Sequence, residues 1–378
     1  MLPYRHDDKL MFQLYVRCVE KEMGKPLLDR SYHCPHTDEQ RPLTSTWCTP
    51  ELYKAVQLGY QVQYIYEVWH FDETCEGLFA DYVNTWLKIK QEASGWPKDD
   101  MTEEEKQRYI EQYFLHEGIQ LEYDNIKKNP GLRTLAKLML NSMWGKFGQR
   151  LNKTQIQAFD DPHAFHCFLD SDALDVRHVS VINNNMVEIH YQNQKEDIRV
   201  SPNLNIFVAC FTTCHARLKL YDALERLGER VLYFDTDSVI YLEETPTQFQ
   251  PVLGSYLGDF ASELADNEYI QEFVSGGPKN YGYTTNKGKV ECKVRGFRLN
   301  SEGHTQLNFD IMRQNVKDEI QKPLPKPREI QVINSHQIVR NPKNYQLYTQ
   351  PSSKFYQLVC NKRVIDHNTF KTYPYGYQ

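Results

Sequence analysis

Two aspartates two positions apart are the residues in this sequence whose types and spacing point most directly to chemistry. Asp235 and Asp237 lie in LYFDTDSVIY (232–241), between β-branched, aromatic and aliphatic flanks. Such flanks favour extended structure, so the stretch predicts a buried hairpin with Asp-Thr-Asp at or near its bend. Close anions repel each other and buried charge is costly, whereas hard divalent cations bind carboxylate oxygen. The pair is a candidate metal site; the alternative is a solvated turn.

A second candidate site is a polar stripe on a predicted helix. Pro130 and Gly131 punctuate the start of NPGLRTLAKLMLNSMWGKFGQR (129–150), and the pattern is helical from Leu132 to about Met143. Cationic and carboxamide side chains four residues apart, ending at an aromatic ring, suit a polyphosphate that carries a sugar and a base. The alternative is a solvated helix face. The stripe consists of Arg133, Lys137, Asn141, Trp144 and Gly145; the opposite, apolar face consists of Leu132, Leu135, Met139 and Met143.

The charge of the chain bears on polyanion binding. The 378 residues carry a formal net charge of −6, so a nucleic-acid site must be a local basic surface. Hydrophobic residues make up 40% and aromatic residues 13%, enough for cores and for stacking surfaces. The basic side chains that crowd the second site are Lys127, Lys128, Lys146, Arg150 and Lys153.

The cysteines indicate a reducing compartment. Nine cysteines, an odd number spread along the chain, do not form a secreted disulfide framework. No signal peptide and no run of about 18 apolar residues is present, so we expect a soluble, intracellular protein without a membrane partner. Four ligand-type residues near the N-terminus leave two interpretations open, a zinc site or ordinary thiols, because they form no paired C-x-x-C knuckles. They are Cys18, Cys34, His36 and Cys48.

The elements around these sites can be read from periodicity. GYQVQYIYEVWHF (59–71) alternates like a half-buried strand. LFADYVNTWLKIKQEASGWP (78–97) predicts a helix that breaks at Gly95 and Pro97, and DDMTEEEKQRYIEQYFLHEG (99–118) predicts a solvated amphipathic helix. EIQKPLPKPREI (319–330) predicts an extended linker.

Both candidate sites, and a third stretch further along the chain, resemble the motifs of family B DNA polymerases. LAKLMLNSMWGKFGQR (135–150) is similar to motif B, K-x-x-x-N-S-x-Y-G, and YFDTDS (233–238) is similar to motif C, Y-x-D-T-D-S. GGPKNYGY (276–283) resembles the K-x-Y element, and VECKVRGFRL (290–299) resembles the strand that follows it towards the thumb. The tail VIDHNTFKTYPYGY (364–377) and the opening residues fit the protein-primed branch, in particular the Polinton or Maverick transposons. The resemblance covers almost the whole chain.

The resemblance implies an α+β fold of the right-hand polymerase type, with an antiparallel palm sheet, helical fingers and a small thumb. On this basis residues 1–125 form a palm segment with an insertion, and residues 126–160 form the fingers with motif B. Residues 161–300 form the palm with a second insertion, motif C and the K-x-Y element. Residues 301–378 form the thumb and C-terminal tail.

The resemblance also implies a function and the residues that perform it. The function is template-directed DNA synthesis with Mg²⁺ or Mn²⁺, from deoxynucleoside triphosphates on a primer-template, in replication of a mobile element or virus-like genome. Further implications are a terminal protein as primer and a nuclear location for a eukaryotic transposon. The implied metal ligands are Asp235 and Asp237; the nucleotide-binding residues are Arg133, Lys137, Asn141, Trp144, Gly145 and Tyr233; the DNA-binding residues are Lys279, Tyr281, Ser142 and Lys146. Trp144 stands where the family usually has Tyr.

One family motif is not found. Motif A, D-x-x-S-L-Y-P, supplies another metal-bridging carboxylate, and no such string occurs in residues 1–136. HFDETCEGLF (70–79) and GIQLEYDNIK (118–127) lack the S-L-Y-P continuation. The comparison with the family therefore predicts an N-terminally truncated polymerase without the exonuclease domain and motif A, which polymerises poorly by itself.

Three other protein classes are alternatives to a family B DNA polymerase. A reverse transcriptase sets its paired aspartates next to each other, whereas Thr236 separates them here. An aspartic protease needs a glycine where Asp237 stands. An inactive transposon remnant that binds DNA without polymerising remains the alternative to the polymerase, because motif A is missing while the motif B and motif C residues are intact.

Overall fold

Helices and short antiparallel strands alternate along the chain. The computed structural model describes residues 1–6, 9–22, 34–194, 204–243, 248–321, 328–340, 345–359, 361–365 and 371–377. The helices are α1 Val16–Glu22, α2 Thr49–Gln57, α3 Ala80–Glu92, α4 Glu103–Glu117, α5 Pro130–Phe147, α6 Pro162–Leu169, α7 Ile206–Leu227, α8 Ser301–Gln306 and α9 Phe309–Gln321. Short 3-10 helices span Asp38–Gln40, Tyr123–Asn125 and Gly228–Arg230.

The strand ladders among the described residues are all antiparallel. The strands are β1 Tyr4–His6, β2 Lys9–Met11, β3 Gln155–Phe159, β4 Leu174–Asn183, β5 Met186–Asn193, β6 Val231–Asp235, β7 Ser238–Tyr241, β8 Ile270–Gly277, β9 Asn280–Thr285, β10 Val290–Val294, β11 Ile330–Arg340, β12 Leu347–Tyr356, β13 Val364–Ile365 and β14 Thr372–Tyr373. The three-stranded sheets have the orders β3-β5-β4 and β10-β9-β8. Separate helices and antiparallel sheets confirm the expected α+β class.

The chain divides into two compact units. Unit 1 comprises residues 1–55, 150–200 and 264–378, and unit 2 comprises residues 56–149 and 201–263. Unit 1 contains both three-stranded sheets; one of its cores joins α9 to β8, β11 and β12 through Met312, Val274, Val332 and Tyr356. Unit 2 contains the two motif stretches, on α5 and on the β6–β7 hairpin.

The helices of unit 2 begin and end where their sequences indicate. Thr102 and Glu105 form a capping box at the start of α4, and Gly118 ends that helix with φ +68°. Asn129 caps α5 by accepting from the Leu132 amide, and Pro130 occupies its first turn. The core of the unit packs α3 and α4 together through Leu87, Ile110, Tyr113, Ile119, Leu121 and Ile126. The predicted amphipathic helix in residues 99–118 is confirmed.

The predicted apolar face of α5 is only partly correct. Leu132 is 41% and Leu135 is 47% exposed, whereas Ala136 is fully buried. Because α5 packs against α3, the small side chain of Ala136 lies where the two helices approach, and Leu140 packs against the core of unit 2. The buried face is therefore rotated away from Leu135.

The structure differs from the sequence-based expectation in residues 59–71 and describes only part of residues 319–330. Residues 59–71 form no strand, and Tyr64 is 70% and Val68 73% exposed. Within the described ranges no other strand forms hydrogen bonds with this stretch. The alternation of its side chains was therefore not sufficient for a strand. The predicted linker in residues 319–330 is described only in part, because α9 extends to Gln321 and residues 322–327 lie outside the described residues.

In the part of the chain that the structure describes, no helix is both long and apolar enough to cross a bilayer.

Candidate nucleotide and metal site

The two aspartates occupy the tip of the β6–β7 hairpin. Asp235 pairs with Ser238, so Thr236 and Asp237 form a two-residue turn. Thr236 has φ +53°, a conformation that a β-branched residue rarely adopts. The Asp237 amide donates to the Asp235 carbonyl at 2.6 Å, and the Thr236 hydroxyl donates to Asp235 Oδ1 at 3.0 Å. These bonds hold a strained turn that fixes both carboxylates at one end of the hairpin.

The hairpin confirms the predicted bend but not the predicted burial. Alternation along β6 leaves Leu232 and Phe234 exposed and places Tyr233 and Asp235 on the half-buried face. Asp237 is exposed. The strands pair only with each other in the described structure, so one face of the hairpin meets solvent.

The donor set of the turn fits a hard divalent cation. Two carboxylates supply oxygen ligands, and exposure of Asp237 leaves room for the waters that Mg²⁺ retains. Over the described ranges, Asp235 and Asp237 belong to no group of three or more His, Cys, Asp or Glu side chains whose ligand atoms lie within 4.8 Å of one another. The candidate stretches for motif A do not extend the pair: Asp72 lies 3.4 Å from His70, and Asp124 lies in a 3-10 helix.

The predicted stripe on α5 is exposed along its length. Arg133, Lys137 and Asn141 all face solvent, and Trp144 is 37% exposed. Gly145 has no atom within 4 Å of the position of an added Cβ, so the surface beside Trp144 is open. A ligand could therefore contact these side chains without displacing protein atoms.

The remaining predicted site residues of unit 2 lie on other faces. Ser142 and Lys146 are exposed, and at 100° per residue they lie about 100–180° around the helix from Lys137 and Asn141. The Ser142 hydroxyl donates to the Leu138 carbonyl at 2.7 Å. Tyr233 is half-buried on β6 opposite Ile240. The structure thus separates Ser142 and Lys146 from the stripe.

Lys90 on α3 is a cation that sequence reasoning missed. Burial lowers the pKa of Lys90, and the neighbouring charges of Arg133 and Lys137 lower it further, against an opposing effect of Glu117. Three cations therefore meet where α3 packs against α5. Their mutual repulsion favours binding of an anion at this position. The available signal was the helical stretch KIKQEASG (88–95), whose lysines gave no indication of which one faces α5.

The end of α3 fixes the start of α5. The Lys127 amide donates to the Glu92 carbonyl at 3.1 Å, and the Asn129 amide donates to the Ala93 carbonyl at 2.9 Å. Gly95 has φ +78°, and an added Cβ would lie 3.1 Å from the Lys128 backbone nitrogen. Only glycine satisfies both the left-handed backbone and this close approach.

A side-chain contact continues this connection into the cation cluster. Arg133 Nε donates to Ser94 Oγ at 3.0 Å, and the Ser94 hydroxyl donates to the Lys90 carbonyl at 2.7 Å. Arg133 is thereby oriented by the end of the helix that carries Lys90. The cluster is positioned before any ligand binds, which lowers the entropic cost of binding.

Helix α7 connects the cation cluster to the hairpin within unit 2. It packs against α5 and against β7. The Asn205 amide donates to the Phe147 carbonyl at 3.2 Å, so α7 begins beside the end of α5. An added Cβ on Gly148 would lie 2.9 Å from Ala209 Cβ, so the chain after α5 approaches α7 closely. One packed framework supports both motif stretches.

The K-x-Y stretch forms a hairpin tip in unit 1. Gly277 pairs with Asn280, which places Pro278 and Lys279 in a two-residue turn, with Lys279 at φ +57°. Tyr281 lies on the central strand β9 of its sheet, opposite Lys293, whose Nζ lies 5.9 Å from the centroid of the Tyr281 ring. The strand predicted after this stretch is confirmed as β10. Lys293 therefore places a cation beside the half-buried ring of Tyr281, a combination that suits contact with a nucleic-acid strand.

The four ligand-type residues near the N-terminus are only partly brought together. Cys18, Cys34 and His36 form a group whose ligand atoms lie within 4.8 Å of one another. Cys48 is not a member of that group; its amide donates to Glu51 Oε1 at 3.3 Å. Three of the four candidate ligands are therefore close enough together to bind one metal ion.

Comparison with known proteins gives a family. No curated protein sequence matches the chain. Among solved structures, the phi29 DNA polymerase complexed with primer-template DNA and incoming nucleotide substrates is similar, with a TM-score of 0.42 and 16% sequence identity. The match covers 75% of this chain and 38% of that polymerase, so the chain spans well under half of its length. The family model described as DNA polymerase type B, organellar and viral, matches residues 37–225, which is half of the chain. The chain belongs to the type B DNA polymerases of this organellar and viral family.

Proposed function

We propose that this chain carries the nucleotide-binding and metal-binding parts of a DNA-directed DNA polymerase. Its reaction is template-directed transfer of a deoxynucleotide from its triphosphate to a primer 3′ end, in replication of a mobile element or virus-like genome. The observation that carries the proposal is the cluster of Lys90, Arg133 and Lys137, in the same compact unit as the Asp235–Asp237 turn. One part suits a triphosphate and the other suits its divalent cation.

The stripe on α5 binds the nucleotide. Lys90, Arg133 and Lys137 neutralise the triphosphate, because its charge must be stabilised during transfer. Asn141 offers a carboxamide one helical turn further on, and Trp144 offers a ring against the sugar or base. The open surface at Gly145 admits the nucleotide to this face. Tyr233 supports Asp235 from the same face of β6.

The turn holds the divalent cation. Asp237 is the principal ligand and Asp235 a supporting one, since Asp235 Oδ1 already accepts the Thr236 hydroxyl. When bound, two Mg²⁺ or Mn²⁺ ions would activate the primer oxygen and neutralise the leaving phosphates. The turn places both aspartates at the tip of the hairpin, and the Thr236 hydroxyl orients Asp235.

The proposed DNA contacts lie in unit 1 and on the face of α5 that carries Ser142 and Lys146. Lys279, at a hairpin tip, and Tyr281 contact the primer strand, and Ser142 and Lys146 contact DNA. The Lys293 amine, 5.9 Å from the centroid of the Tyr281 ring, supports this role because it places a cation beside an aromatic ring. The division of residues 1–378 into palm, fingers and thumb is part of the same proposal, as are protein priming and the relation to transposons.

A non-enzymatic function is the second candidate. The observation that favours it is that, in the described residues, no third carboxylate joins Asp235 and Asp237. Two carboxylates alone do not complete a two-metal site. A chain of this kind would bind DNA and nucleotide without polymerising.

The test of the proposed function is equilibrium binding of a fluorescent deoxynucleoside triphosphate with and without Mg²⁺. We expect Mg²⁺ to tighten binding for the natural chain and to have a much smaller effect for Asp237→Asn. Asp81→Asn, an exposed acidic residue in the first turn of α3, is the matched control and keeps the Mg²⁺ effect. Equal Mg²⁺ effects in Asp237→Asn and in the natural chain would refute the metal assignment.

A further inference from the structure

We propose that Cys18, Cys34 and His36 in unit 1 bind a zinc ion that has a structural role. Their two thiol sulfurs and imidazole nitrogen lie within 4.8 Å of one another. Thiolate and imidazole are the donors that zinc prefers, and a structural site normally has four of them. The proposal is independent of the proposed polymerase function, because none of these residues belongs to the nucleotide or DNA sites.

The distances between donors match a tetrahedral site. With Zn–S near 2.3 Å and Zn–N near 2.0–2.1 Å, tetrahedral angles place sulfur and nitrogen donors about 3.6 Å apart. Cys18 Sγ lies 3.5 Å and Cys34 Sγ lies 3.8 Å from His36 Nδ1. Both observed sulfur–nitrogen distances are close to that value, so the backbone need not move for these three atoms to bind one ion. The same nitrogen, Nδ1, faces both sulfurs, as a single metal ligand would.

The hydroxyl of Tyr15 lies among these three donor atoms. Tyr15 is fully buried, and its hydroxyl oxygen accepts from Cys18 Sγ at 2.7 Å, lies 3.2 Å from His36 Nδ1 and contacts Cys34 Sγ. Four polar atoms thus converge on one small volume. The Tyr15 hydroxyl lies closer to both sulfurs than two zinc ligands would lie to each other, so it occupies the space of the ion and would turn aside when zinc binds.

The surroundings indicate a structural role rather than catalysis. Cys18 and Cys34 are buried in a small core with Met11, Val19 and Tyr375, where a bound ion would stabilise the packing of separate segments. Cys18 lies on α1, whereas Cys34 and His36 precede the 3-10 helix Asp38–Gln40. The same core includes residues from the C-terminal end of the chain. A metal ion would therefore join separate segments around a core too small to be stable alone.

Binding follows ordinary metal–thiol chemistry. Zinc would displace one proton from each of the two cysteine thiols and bind neutral His36, so that the protons pass to solvent and nothing is oxidised or reduced. Affinity should therefore rise with pH, since the thiols must lose protons.

The test measures metal content of the full chain and of single variants. After expression with zinc and exhaustive dialysis, we expect about one zinc per natural chain by elemental analysis. Cys18→Ser, Cys34→Ser and His36→Ala should lose most of it. Cys75→Ser, which removes an exposed thiol, is the matched control and should retain it. A chelator should lower the melting temperature of the natural chain and of the control alike.

Cobalt replacement keeps the test decisive if a variant fails to fold. The natural chain loaded with Co²⁺ should show the intense visible absorption of tetrahedral thiolate coordination. A natural chain that takes up neither zinc nor cobalt would overturn the proposal, as would full zinc content in Cys34→Ser. A Cys18–Cys34 disulfide, found by mass spectrometry after purification with reductant, would overturn it too.

Discussion

Replacement of Lys90 by methionine should weaken nucleotide binding while it stabilises the protein. Methionine keeps an unbranched, helix-favouring side chain but removes the charge. The charge is unfavourable in the folded protein, because burial and the neighbouring Arg133 and Lys137 lower the pKa of Lys90. A triphosphate would reverse that effect, because its negative charge favours the protonated amine.

The size of the binding effect follows from the half-buried position of Lys90. A hydrogen bond to a charged group contributes about 1.5–3 kcal/mol, and solvent screening at a half-exposed site reduces this to about 1–2 kcal/mol. Loss of that contact corresponds to a dissociation constant about 5–30-fold higher. Because Arg133 and Lys137 remain, binding should be weakened and not abolished.

The effect on stability has a defined sign and pH dependence. A lysine whose pKa is lower in the folded than in the unfolded state destabilises the fold at every pH below its folded pKa. That penalty disappears as the pH rises from the folded pKa towards the ordinary value of 10.5. The natural chain should therefore gain stability relative to Lys90→Met as the pH rises through this window. At neutral pH the variant should have the higher free energy of unfolding.

The assays are titration with a fluorescent deoxynucleoside triphosphate and thermal unfolding, both from neutral to alkaline pH. Lys98→Met is the matched control, because Lys98 is exposed in the same unit. It should change neither the dissociation constant nor the pH dependence of stability. Unchanged nucleotide affinity in Lys90→Met, or a loss of stability at neutral pH, would refute the assignment of Lys90 to the cation cluster.

Further predictions concern the backbone, a half-buried thiol and the DNA surface. Gly95→Ala should lower the free energy of unfolding by about 1–3 kcal/mol, because it combines a left-handed φ with a close backbone contact. Gly145→Ala, in open space on α5, should raise it by up to about 1 kcal/mol in the same urea titrations. Burial raises the pKa of Cys292 to about 11, so alkylation followed by mass spectrometry at pH 8 should label exposed Cys75 and spare Cys292; equal labelling would contradict this. Lys279→Ala should reduce the salt dependence of DNA binding by about one unit of slope, and an unchanged slope would remove Lys279 from the DNA surface.

The sequence predicted the local form of both motif stretches, because their signals are local. The β-branched and aromatic flanks of Asp235 and Asp237 specified a hairpin, and Asn129 and Pro130 specified the start of α5. The burial of these elements was predicted less well. Leu135 and Phe234 are exposed, since burial depends on which neighbour an element packs against, and a single element's pattern does not contain that information.

Contacts between distant segments were the part that the sequence could not supply. Lys90 joins Arg133 and Lys137 only because α3 packs against α5, and the sequence did not distinguish Lys90 from Lys88 on the same helix. Residues 59–71 have the alternation of a strand, yet within the described structure they have no ladder. The ligand types of Cys18, Cys34 and His36 could be read from the sequence, whereas the short distances between their donor atoms depend on the fold.

The central claim is that Asp237 holds the metal ion for nucleotidyl transfer, and primer extension tests it most directly. The assay compares this chain with one lengthened at its N-terminus by a segment that carries motif A, each with and without Asp237→Asn, in the presence of Mg²⁺. We expect extension by the lengthened chain, its loss on Asp237→Asn, and little or none by residues 1–378. Extension that survives Asp237→Asn, or no extension by the lengthened chain, would contradict the assignment of Asp237.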